Sequence, residues 1–343
     1  MHTDRLAQLP AALLPWYAAS ARDLPWRADR EPYHVWLSEI MLQQTRVEAV
    51  RGYYARFLAA LPDIAALAAA PEEQVLKLWE GLGYYSRARQ LCRAAREIMT
   101  RHGGQFPRTF AEIRALPGIG DYTAGAIASI CFGMPTPAVD GNVLRVISRI
   151  CAAESCIDLP ATKAAYRDGL AAVYPVGQCG EFTQALMELG ATVCIPRGEP
   201  RCAECPCAAF CAAKQKGNPE AYPVRAAKRA RRIEERTVFL LRCGGRLAIL
   251  RRPPTGLLAG LWELPNQLAV LSAEEAFAQA EEWGCAPMSV GAPIEKTHIF
   301  THVEWRMRAY PIECAADIPP FVWAGESELD EDYALPSAFR LFV

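Results

Sequence analysis

The sequence predicts two structural classes in one chain, a mainly α-helical region over residues 1–222 and a smaller α+β domain over residues 236–343. Three observations support this division. Alanine-rich amphipathic segments interrupted by Pro and Gly fill the first region, which is typical of short packed helices. In the second, "RTVFLLRCGGRLAILRR" and "FTHVEWRMRAYPIE" alternate as β-strands do, and "SAEEAFAQAEEWG" predicts a helix. Residues 223–235, rich in Arg and poor in apolar side chains, predict an exposed linker.

The composition is that of a globular chain. The 343 residues are 52% apolar and 22% charged, with a net charge of −1. We find no apolar run of membrane-spanning length and no signal peptide in "MHTDRLAQLPAALLPWYAAS", so we expect a cytoplasmic protein that binds no membrane. Thirteen cysteines, an odd number, argue against a complete disulfide framework. The net charge alone does not indicate nucleic-acid binding, and the basic linker is interpreted as a solvated connector, with phosphate contact as the alternative.

Local signals predict several element boundaries. Asp63 and Pro71 are expected to begin helices, and Gly103 with Gly104 to end one. A Gly-Gly pair inside the first alternating segment predicts a tight turn between two strands.

A glutamate lies in the apolar stripe of a predicted helix. In "WLSEIMLQQT" (36–45), Glu39 falls, at about 100° per residue, on one side with Val35, Trp36, Ile40, Gln43, Val47 and Val50. Burial there would remove water from the carboxylate and raise its pKa. The position predicts either a functional carboxyl group or a carboxylate with a buried structural partner.

The segment "LPGIGDYTAGAIASI" (116–130) predicts a tight turn between two helices. Gly118 and Gly120 lack a Cβ atom, so backbone N–H groups of the turn could approach a phosphate. Leu116 and Ile119 would anchor the turn in the core. An ordinary helix–helix turn is the alternative, and the turn by itself does not select DNA.

The segment "PAVDGNVLRVISRI" (137–150) places Asp140 directly before a predicted amphipathic helix. Aspartate is a favoured N-cap, so capping alone would explain it. A catalytic role is compatible with capping, because a helix N-terminus stabilises the charged form of a carboxylate.

Four cysteines are grouped in "CIPRGEPRCAECPCAAFC" (194–211) with the pattern C-x7-C-x2-C-x5-C. Thiolates this close in sequence predict a zinc or iron–sulfur site rather than core packing. Cys207 is an additional thiol in the same segment. In a further segment, "GLGYYSRARQ" (81–90), tyrosines precede Arg87 and Arg89, which suits an aromatic wedge beside phosphate-binding charge. A packed turn with an exposed helix face is the alternative.

Taken in order, "PWR", "WLSEIMLQQT", "GLGYYSRAR", "LPGIGDYTAGA", "VDGN" and the cysteine segment resemble the MutY family of adenine DNA glycosylases, within the endonuclease III-like superfamily. The resemblance spans nearly the whole chain and is densest in its first two-thirds. It implies a helix-hairpin-helix DNA glycosylase fold with a six-helix barrel over about residues 31–135. It also implies an iron–sulfur helical subdomain formed by residues 1–30 and 136–222, followed by a Nudix-like domain over residues 236–343.

The resemblance implies four catalytic roles. Glu39 matches the family's general acid, which would protonate adenine N7. Asp140, 20 residues after Gly120 as in the superfamily, matches the carboxylate that stabilises the oxocarbenium-like sugar. Asn142 matches a residue that supports this pair. Tyr122 stands where bifunctional relatives have a Schiff-base lysine, so a monofunctional enzyme that leaves the strand unbroken is expected.

Further positions match DNA contacts of the family, which flips the target base out of the duplex. The base pocket would be bordered by Trp26, Arg27 and Gln184. The DNA-binding set comprises Gln44, Thr45, Tyr84, Gly118 and Gly120, with Tyr85 as the alternative wedge. Recognition of 8-oxoguanine would fall to Phe300, Thr301 and His302. Plainer alternatives are core packing for Trp26, surface exposure for Gln44, and a strand entry with a stacked histidine for the last three.

The resemblance also implies a cofactor and a partner. A 4Fe-4S cluster would bind Cys194, Cys202, Cys205 and Cys211, with zinc as the alternative, although this loop has one residue more than the family's six between its first two cysteines. The partner would be double-stranded DNA with an A:8-oxoG or A:G mispair, bound by a monomer in the bacterial cytoplasm, at the nucleoid. "EEAFAQAEEWG" lacks the Arg-Glu pair of the Nudix box, so we expect recognition without pyrophosphatase activity.

Three other functions are considered. They are a thymine- or pyrimidine-specific glycosylase or lyase of the endonuclease III type, a non-catalytic iron–sulfur DNA-binding protein, and an active Nudix hydrolase with a helical appendage. Tyr122 argues against a lyase, and a protein that only binds DNA needs neither Glu39 nor Asp140.

Overall fold

The structure, a computed structural model, describes residues 3–227 and 230–343. Contacts between Cα atoms divide it into two compact units. The first holds the residues up to Ala69 together with Gln90–Ala227, and the second holds Ala70–Arg89 together with the residues after 227. No helix within the described ranges is long and apolar enough to cross a membrane. Residues 228–229 of the predicted linker lie outside these ranges.

Helices make up the chain as far as residue 215, which confirms the mainly α prediction for this region. They are α1 Thr3–Leu6, α2 Leu9–Ser20, α3 Pro32–Met41, α4 Val47–Ala60, α5 Ile64–Ala69, α6 Glu72–Leu78, α7 Ser86–Arg101, α8 Phe110–Ala115, α9 Asp121–Phe132, α10 Gly141–Cys151, α11 Pro160–Ala171, α12 Cys179–Thr192 and α13 Ala212–Gln215. Short 3₁₀ turns occur at Pro25–Arg27 and Pro219–Ala221.

The predicted helix boundaries are confirmed where a local signal defines them. The Asp63 carboxylate accepts a hydrogen bond from Ala66 N at 2.7 Å and so caps the start of α5. Pro71 directly precedes α6. Helix α7 ends before Gly103 and Gly104, and both glycines have positive φ, a conformation that few other residues adopt at low cost.

The prediction for residues 35–50 is wrong in one respect. The apolar stripe that includes Glu39 was expected to continue to Val50, but α3 ends at Met41 and a separate helix, α4, begins at Val47. Gln44, between them, has φ = 63°. The left-handed conformation interrupts the i to i−4 hydrogen bonding, so the later residues of the stripe belong to another helix.

Helix α12 is central to the first unit, where it packs against α2, α9 and α10, while α3 packs against α9 and α4. The core between α10 and α12 is apolar and almost solvent-free, with Val143, Val146, Ile147, Phe182 and Leu186 all at 0% exposure. This packing brings the middle of α3, the start of α9, the start of α10 and one face of α12 together.

The second unit is built on a mixed sheet, as the α+β prediction requires. Its strands are β1 Arg232–Cys243, β2 Arg246–Arg251, β3 Trp262–Glu263, β4 Asn266–Gln267, β5 Pro287–Val290, β6 Ile294–Ile299, β7 Val303–Cys314 and β8 Val322–Ala324. The main order is β3-β2-β1-β7-β5, with β4 on β1, β6 on β7 and β8 on β2. Besides α6, which precedes the sheet in the chain, its helices are α14 Ala273–Glu282, α15 Glu326–Glu331 and α16 Ser337–Arg340.

Three sequence signals of this unit are confirmed. Gly244 and Gly245 form the turn between β1 and β2, both with positive φ. The segment predicted as a later strand forms β7, which pairs in parallel with β1 from Arg232↔Val303 onward. Residues 232–235, the end of the predicted linker, therefore belong to β1. Ser272 caps α14, accepting from Glu275 N at 3.2 Å.

Candidate active site

Glu39 occupies the middle of α3 and is 7% exposed. Tyr122, in the first turn of α9, donates its phenolic hydrogen to Glu39 Oε2. Burial raises the pKa of Glu39 to about 7, and the nearby Asp140 carboxylate adds to this, while the Tyr122 hydrogen bond and the Arg27 charge oppose it. Burial and the two carboxylates also hold the pKa of Tyr122 well above its ordinary value. Glu39 therefore keeps its proton to a much higher pH than an ordinary glutamate does.

Asp140 is the N-cap of α10, as the sequence predicts. Its Oδ1 accepts from Val143 N at 2.7 Å, and its Oδ2 accepts from Asn142 Nδ2 at 2.8 Å. Burial raises the pKa of Asp140, and these hydrogen bonds together with the Arg145 charge oppose the rise. The carboxylate is thus held in one orientation by donors that favour its charged form.

Both carboxyl groups line one cavity in the first unit. Its volume is about 170 Å³, about tenfold more than the roughly 10–15 Å³ that one water needs. Eight residues predicted from the sequence line it: Trp26, Arg27, Glu39, Thr45, Tyr122, Asp140, Asn142 and Gln184. Trp26 is 7% exposed and packs edge-on against Tyr54, so core packing and cavity lining coexist at this residue. Gln184 Oε1 accepts from Tyr17 at 3.0 Å.

Sequence reasoning did not find a buried ion-pair group in the same cavity. Glu188, 1% exposed, accepts from Arg22 Nε at 2.6 Å and Nη2 at 3.0 Å, and from Arg27 Nη2 at 2.8 Å. Burial favours the neutral acid, but the two guanidinium groups outweigh it, so the net pKa of Glu188 is lowered. One signal was available, since Glu188 lies four residues after Gln184 and hence on the same face of α12.

Arg145 was also missed, because it lies on the opposite side of α10 from the apolar stripe that includes Val143 and Ile147. It is 5% exposed and donates to Asn142 Oδ1 at 2.8 Å, to Gly190 O at 2.7 Å and to Cys194 O at 2.7 Å. Its guanidinium therefore joins the side chain that orients Asp140 to the backbone at the first clustered cysteine. Periodicity gave no signal for this residue, because it does not share the apolar stripe and its burial depends on the packing of neighbouring elements.

The two hairpin glycines lie between α8 and α9 but differ in their surroundings. Gly118 has φ = 75°, and a Cβ atom there would lie 2.5 Å from Gln90 Cβ, so only glycine fits. Gly120 precedes α9, and a Cβ atom there would meet nothing within 4 Å. The space beside Gly120 therefore leaves the N-terminus of α9 accessible to an anionic group such as a phosphate. Leu116 and Ile119 are buried, as expected for anchors of the turn.

The predicted wedge residues share an unusual backbone conformation. Gln44 (φ = 63°) and Tyr84 (φ = 47°) are two of five non-glycine residues with positive φ in the described chain. Such a conformation costs of order 1–3 kcal/mol and is concentrated at functional sites. Both side chains are exposed, Tyr84 by 44%, whereas the alternative wedge Tyr85 is 5% exposed.

The predicted 8-oxoguanine residues form the turn between β6 and β7 in the second unit. Phe300 is anchored by edge-on contacts with Trp305 (4.9 Å) and His298 (4.5 Å), while Thr301 and His302 are exposed. The histidine packed on Phe300 is thus His298 and not His302. Within the same unit, Tyr84 Oη and Thr301 Oγ1 lie 2.5 Å apart.

The four predicted cysteine ligands line a second cavity of the first unit, together with Cys207. Arg149, 4% exposed, donates to Cys194 Sγ at 3.3 Å. No group of three or more His, Cys, Asp or Glu residues within the described ranges stands close enough to hold a metal ion. The donor type, however, is the one that zinc and iron–sulfur clusters use, since five thiols line this cavity beside apolar side chains and cationic groups such as that of Arg149.

Comparisons with known proteins agree with this architecture. Residues 37–168 match the HhH-GPD superfamily of base excision DNA repair proteins, and residues 237–343 match the NUDIX domain. The adenine DNA glycosylase of Mus musculus is 35% identical over 96% of this chain and 77% of its own length. The corresponding protein of Homo sapiens is 35% identical over 90% of this chain and 67% of its own length.

Solved structures support the fold of the first unit. A thermostable thymine-DNA glycosylase is 30% identical, with a TM-score of 0.57, over 63% of this chain and 100% of its own. A trapped endonuclease III–DNA intermediate, 21% identical with a TM-score of 0.54, covers 63% of this chain and 99% of its own, and it shares the fold. Since the mouse and human relatives match across most of both sequences, the chain belongs to the family of adenine DNA glycosylases, the MutY family.

Proposed function

We propose that this chain is a monofunctional adenine DNA glycosylase that removes adenine opposite 8-oxoguanine or guanine from double-stranded DNA. The proposal rests on one cavity that is lined by both Glu39 and Asp140. Glu39 has a pKa of about 7, and Asp140 is the N-cap of a helix. The mouse and human relatives bear the name of this activity.

The reaction follows from the different surroundings of the two acids. An adenine flipped out of the duplex enters the cavity, and protonated Glu39 gives its proton to adenine N7. The C1′–N9 bond then breaks, its electron pair stays with the base, and the Asp140 carboxylate stabilises the cationic sugar. Addition of water at C1′ and loss of one proton complete the hydrolysis. Tyr122 hydrogen-bonds Glu39, and Asn142 orients Asp140.

Tyr122 determines the reaction type within this proposal. A phenol cannot form an imine with the sugar, so the product is an abasic site in an unbroken strand. Gln44 and Tyr84, both exposed with positive φ, are the proposed wedges that fill the gap left by the base. Thr301 and its neighbours in the β6–β7 turn are the proposed contacts to 8-oxoguanine. Thr301 has a hydroxyl and a backbone N–H to offer.

We also propose a 4Fe-4S cluster on Cys194, Cys202, Cys205 and Cys211. The thiols surround one cavity, and the Arg149 guanidinium beside Cys194 would offset thiolate charge. When bound, the cluster would cross-link the loop that Arg145 connects to Asn142. Iron and sulfide analysis of purified protein tests this; zinc in place of iron would contradict it.

The function is tested by single-turnover excision on A:8-oxoG, A:G, T:G and oxidised-pyrimidine duplexes, with and without alkaline treatment. We expect adenine release, with strand breaks only after alkali. Glu39→Gln should bind the A:8-oxoG duplex but not release adenine, and Tyr122→Lys should introduce strand cleavage. Efficient nicking by the natural chain without alkali would contradict the monofunctional assignment.

A second candidate is thymine excision, favoured by the structural match to a thymine-DNA glycosylase. The same panel of duplexes distinguishes the two, because release of thymine from T:G without release of adenine from A:8-oxoG would replace the proposal with this one. Residues 237–343 match the NUDIX domain, which raises the question of a second, hydrolytic activity. Pyrophosphatase assays test this separately, and we expect no activity.

A further inference from the structure

Five cysteines, not four, line the cavity proposed for the cluster. They are Cys194, Cys202, Cys205, Cys207 and Cys211, and apolar walls from α10 and α12 complete the cavity. A 4Fe-4S cluster takes one thiolate on each of four irons. One thiol facing the cavity therefore has no place in the proposed ligand set.

Cys207 is the most enclosed of the thiols in this loop. It is 1% exposed, whereas Cys194, Cys202 and Cys205 are only partly buried. Its side chain lines the same cavity as the four proposed ligands, and it lies two residues after Cys205 in the chain. Cys207 is thus not an isolated core thiol.

Cys202 is the member of the proposed set that is next to the altered spacing. It follows the loop that carries the additional residue, with seven residues separating it from Cys194. Its side chain is only partly buried, and its backbone N–H donates to Pro200 O at 2.7 Å, two residues away. Cys202 and Cys207 flank Cys205 in sequence, at three residues before it and two after it.

We propose that Cys207 is a substitute ligand for the cluster, which takes the coordination position of Cys202 when that thiolate is removed. The inference rests on the proposed cofactor. In the exchange, Cys207 sulfur would hold the iron that Cys202 sulfur had held. The Cys207 thiol would give up its proton, and the released Cys202 thiolate would take one up. No electron is transferred, so the exchange needs neither oxidant nor reductant.

The test compares the iron and sulfide content and visible absorption of full-length wild type, Cys202→Ala, Cys207→Ala, Cys202→Ala/Cys207→Ala and Cys205→Ala. Alanine is used because a serine oxygen could itself bind iron. We expect both single variants at Cys202 and Cys207 to keep the wild-type iron content. The double variant and Cys205→Ala should each lose most of it.

Two results would overturn the proposal. One is loss of iron from Cys202→Ala to the level of Cys205→Ala, whether or not the variant folds. The other is retention of iron by the double variant, since a cluster would then need neither thiol. Wild-type protein without iron would overturn the cofactor and this inference together, while adenine excision by the same sample would leave the proposed activity standing.

Discussion

Replacing Glu39 by Gln should stabilise the folded chain above neutral pH while it removes activity. The carboxyl group is 7% exposed, and burial raises its pKa from an ordinary 4.5 to about 7. The difference, at about 1.4 kcal/mol per pKa unit, corresponds to about 3 kcal/mol of unfolding free energy. Because the group is almost fully buried, solvent screening reduces this figure little.

The sign follows from proton binding. Below about pH 4.5, Glu39 is protonated in both the folded and the unfolded chain and contributes no pH dependence. Between about pH 4.5 and 7 the unfolded chain loses this proton while the folded chain keeps it, so stability falls as pH rises. Above about pH 7 the wild-type chain has lost the whole of this unfolding free energy. Glutamine has no proton to lose, so the variant should exceed wild type by about 3 kcal/mol at pH 8 and match it near pH 4.5.

Urea unfolding followed by circular dichroism at both pH values measures this difference. Glu188→Gln is the matched control, because it alters a second buried carboxyl of the same cavity whose pKa is lowered. That variant should be destabilised at pH 8 by about 2 kcal/mol, since it leaves Arg22 and Arg27 without their anion and Arg22 is partly solvated. Parallel pH curves for wild type and Glu39→Gln would refute the reasoning.

Three further outcomes are expected. The single-turnover excision rate should fall as pH rises through about 7, because the proton on Glu39 is then lost; a rate that stays flat from pH 6 to about 9 would rule Glu39 out as the acid. Gln44→Gly should change the unfolding free energy by less than about 1 kcal/mol, because glycine readily adopts the positive φ of this position. It should nevertheless weaken binding to the A:8-oxoG duplex. Unchanged affinity would show that the Gln44 side chain does not act as a wedge. Gly190→Ala should lower the excision rate by about tenfold or more, because a Cβ atom at this position would lie 2.5 Å from Asn142 Cβ. Gly52→Ala, whose Cβ atom would make only an ordinary 3.7 Å contact, should keep the wild-type rate. Equal rates for the two variants would contradict the proposal that Asn142 positions Asp140.

Features encoded by a few adjacent residues could be predicted from the sequence. The start of α5 depends on one side chain, Asp63, that reaches a backbone N–H three residues later. The turn between β1 and β2 depends on Gly244 and Gly245 alone. In contrast, the end of α3 at Met41 could not be read from periodicity, because the stripe continues in sequence while the backbone at Gln44 turns left-handed.

Local patterns predicted single features of the site, such as the burial of Glu39 and the capping role of Asp140, but only the resemblance grouped residues into one site. The Arg22–Glu188 ion pair joins residues 166 positions apart, and the pairing of Tyr122 with Glu39 spans 83. No local pattern specifies contacts of this range, since they depend on how whole helices pack. The charge state of a buried carboxyl depends on such partners, which is why the raised pKa of Glu39 could be expected from its burial, whereas the lowered pKa of Glu188 emerges only from the structure.

The positions of the two acids in their helices explain why they can take different roles. Burial raises the pKa of both, but Asp140 sits at a helix N-terminus, where unpaired backbone N–H groups and Asn142 supply hydrogen bonds to its charge. Glu39 lies in the middle of α3, where the backbone N–H groups are already bonded within the helix, so the Tyr122 hydroxyl is the one side chain that hydrogen-bonds it among the contacts described. Protonation is therefore opposed by several donors at the capping carboxyl but by a single side-chain donor at the mid-helix one. Cleavage of the N-glycosidic bond uses both groups, an acid that protonates the departing base and an anion that stabilises the sugar.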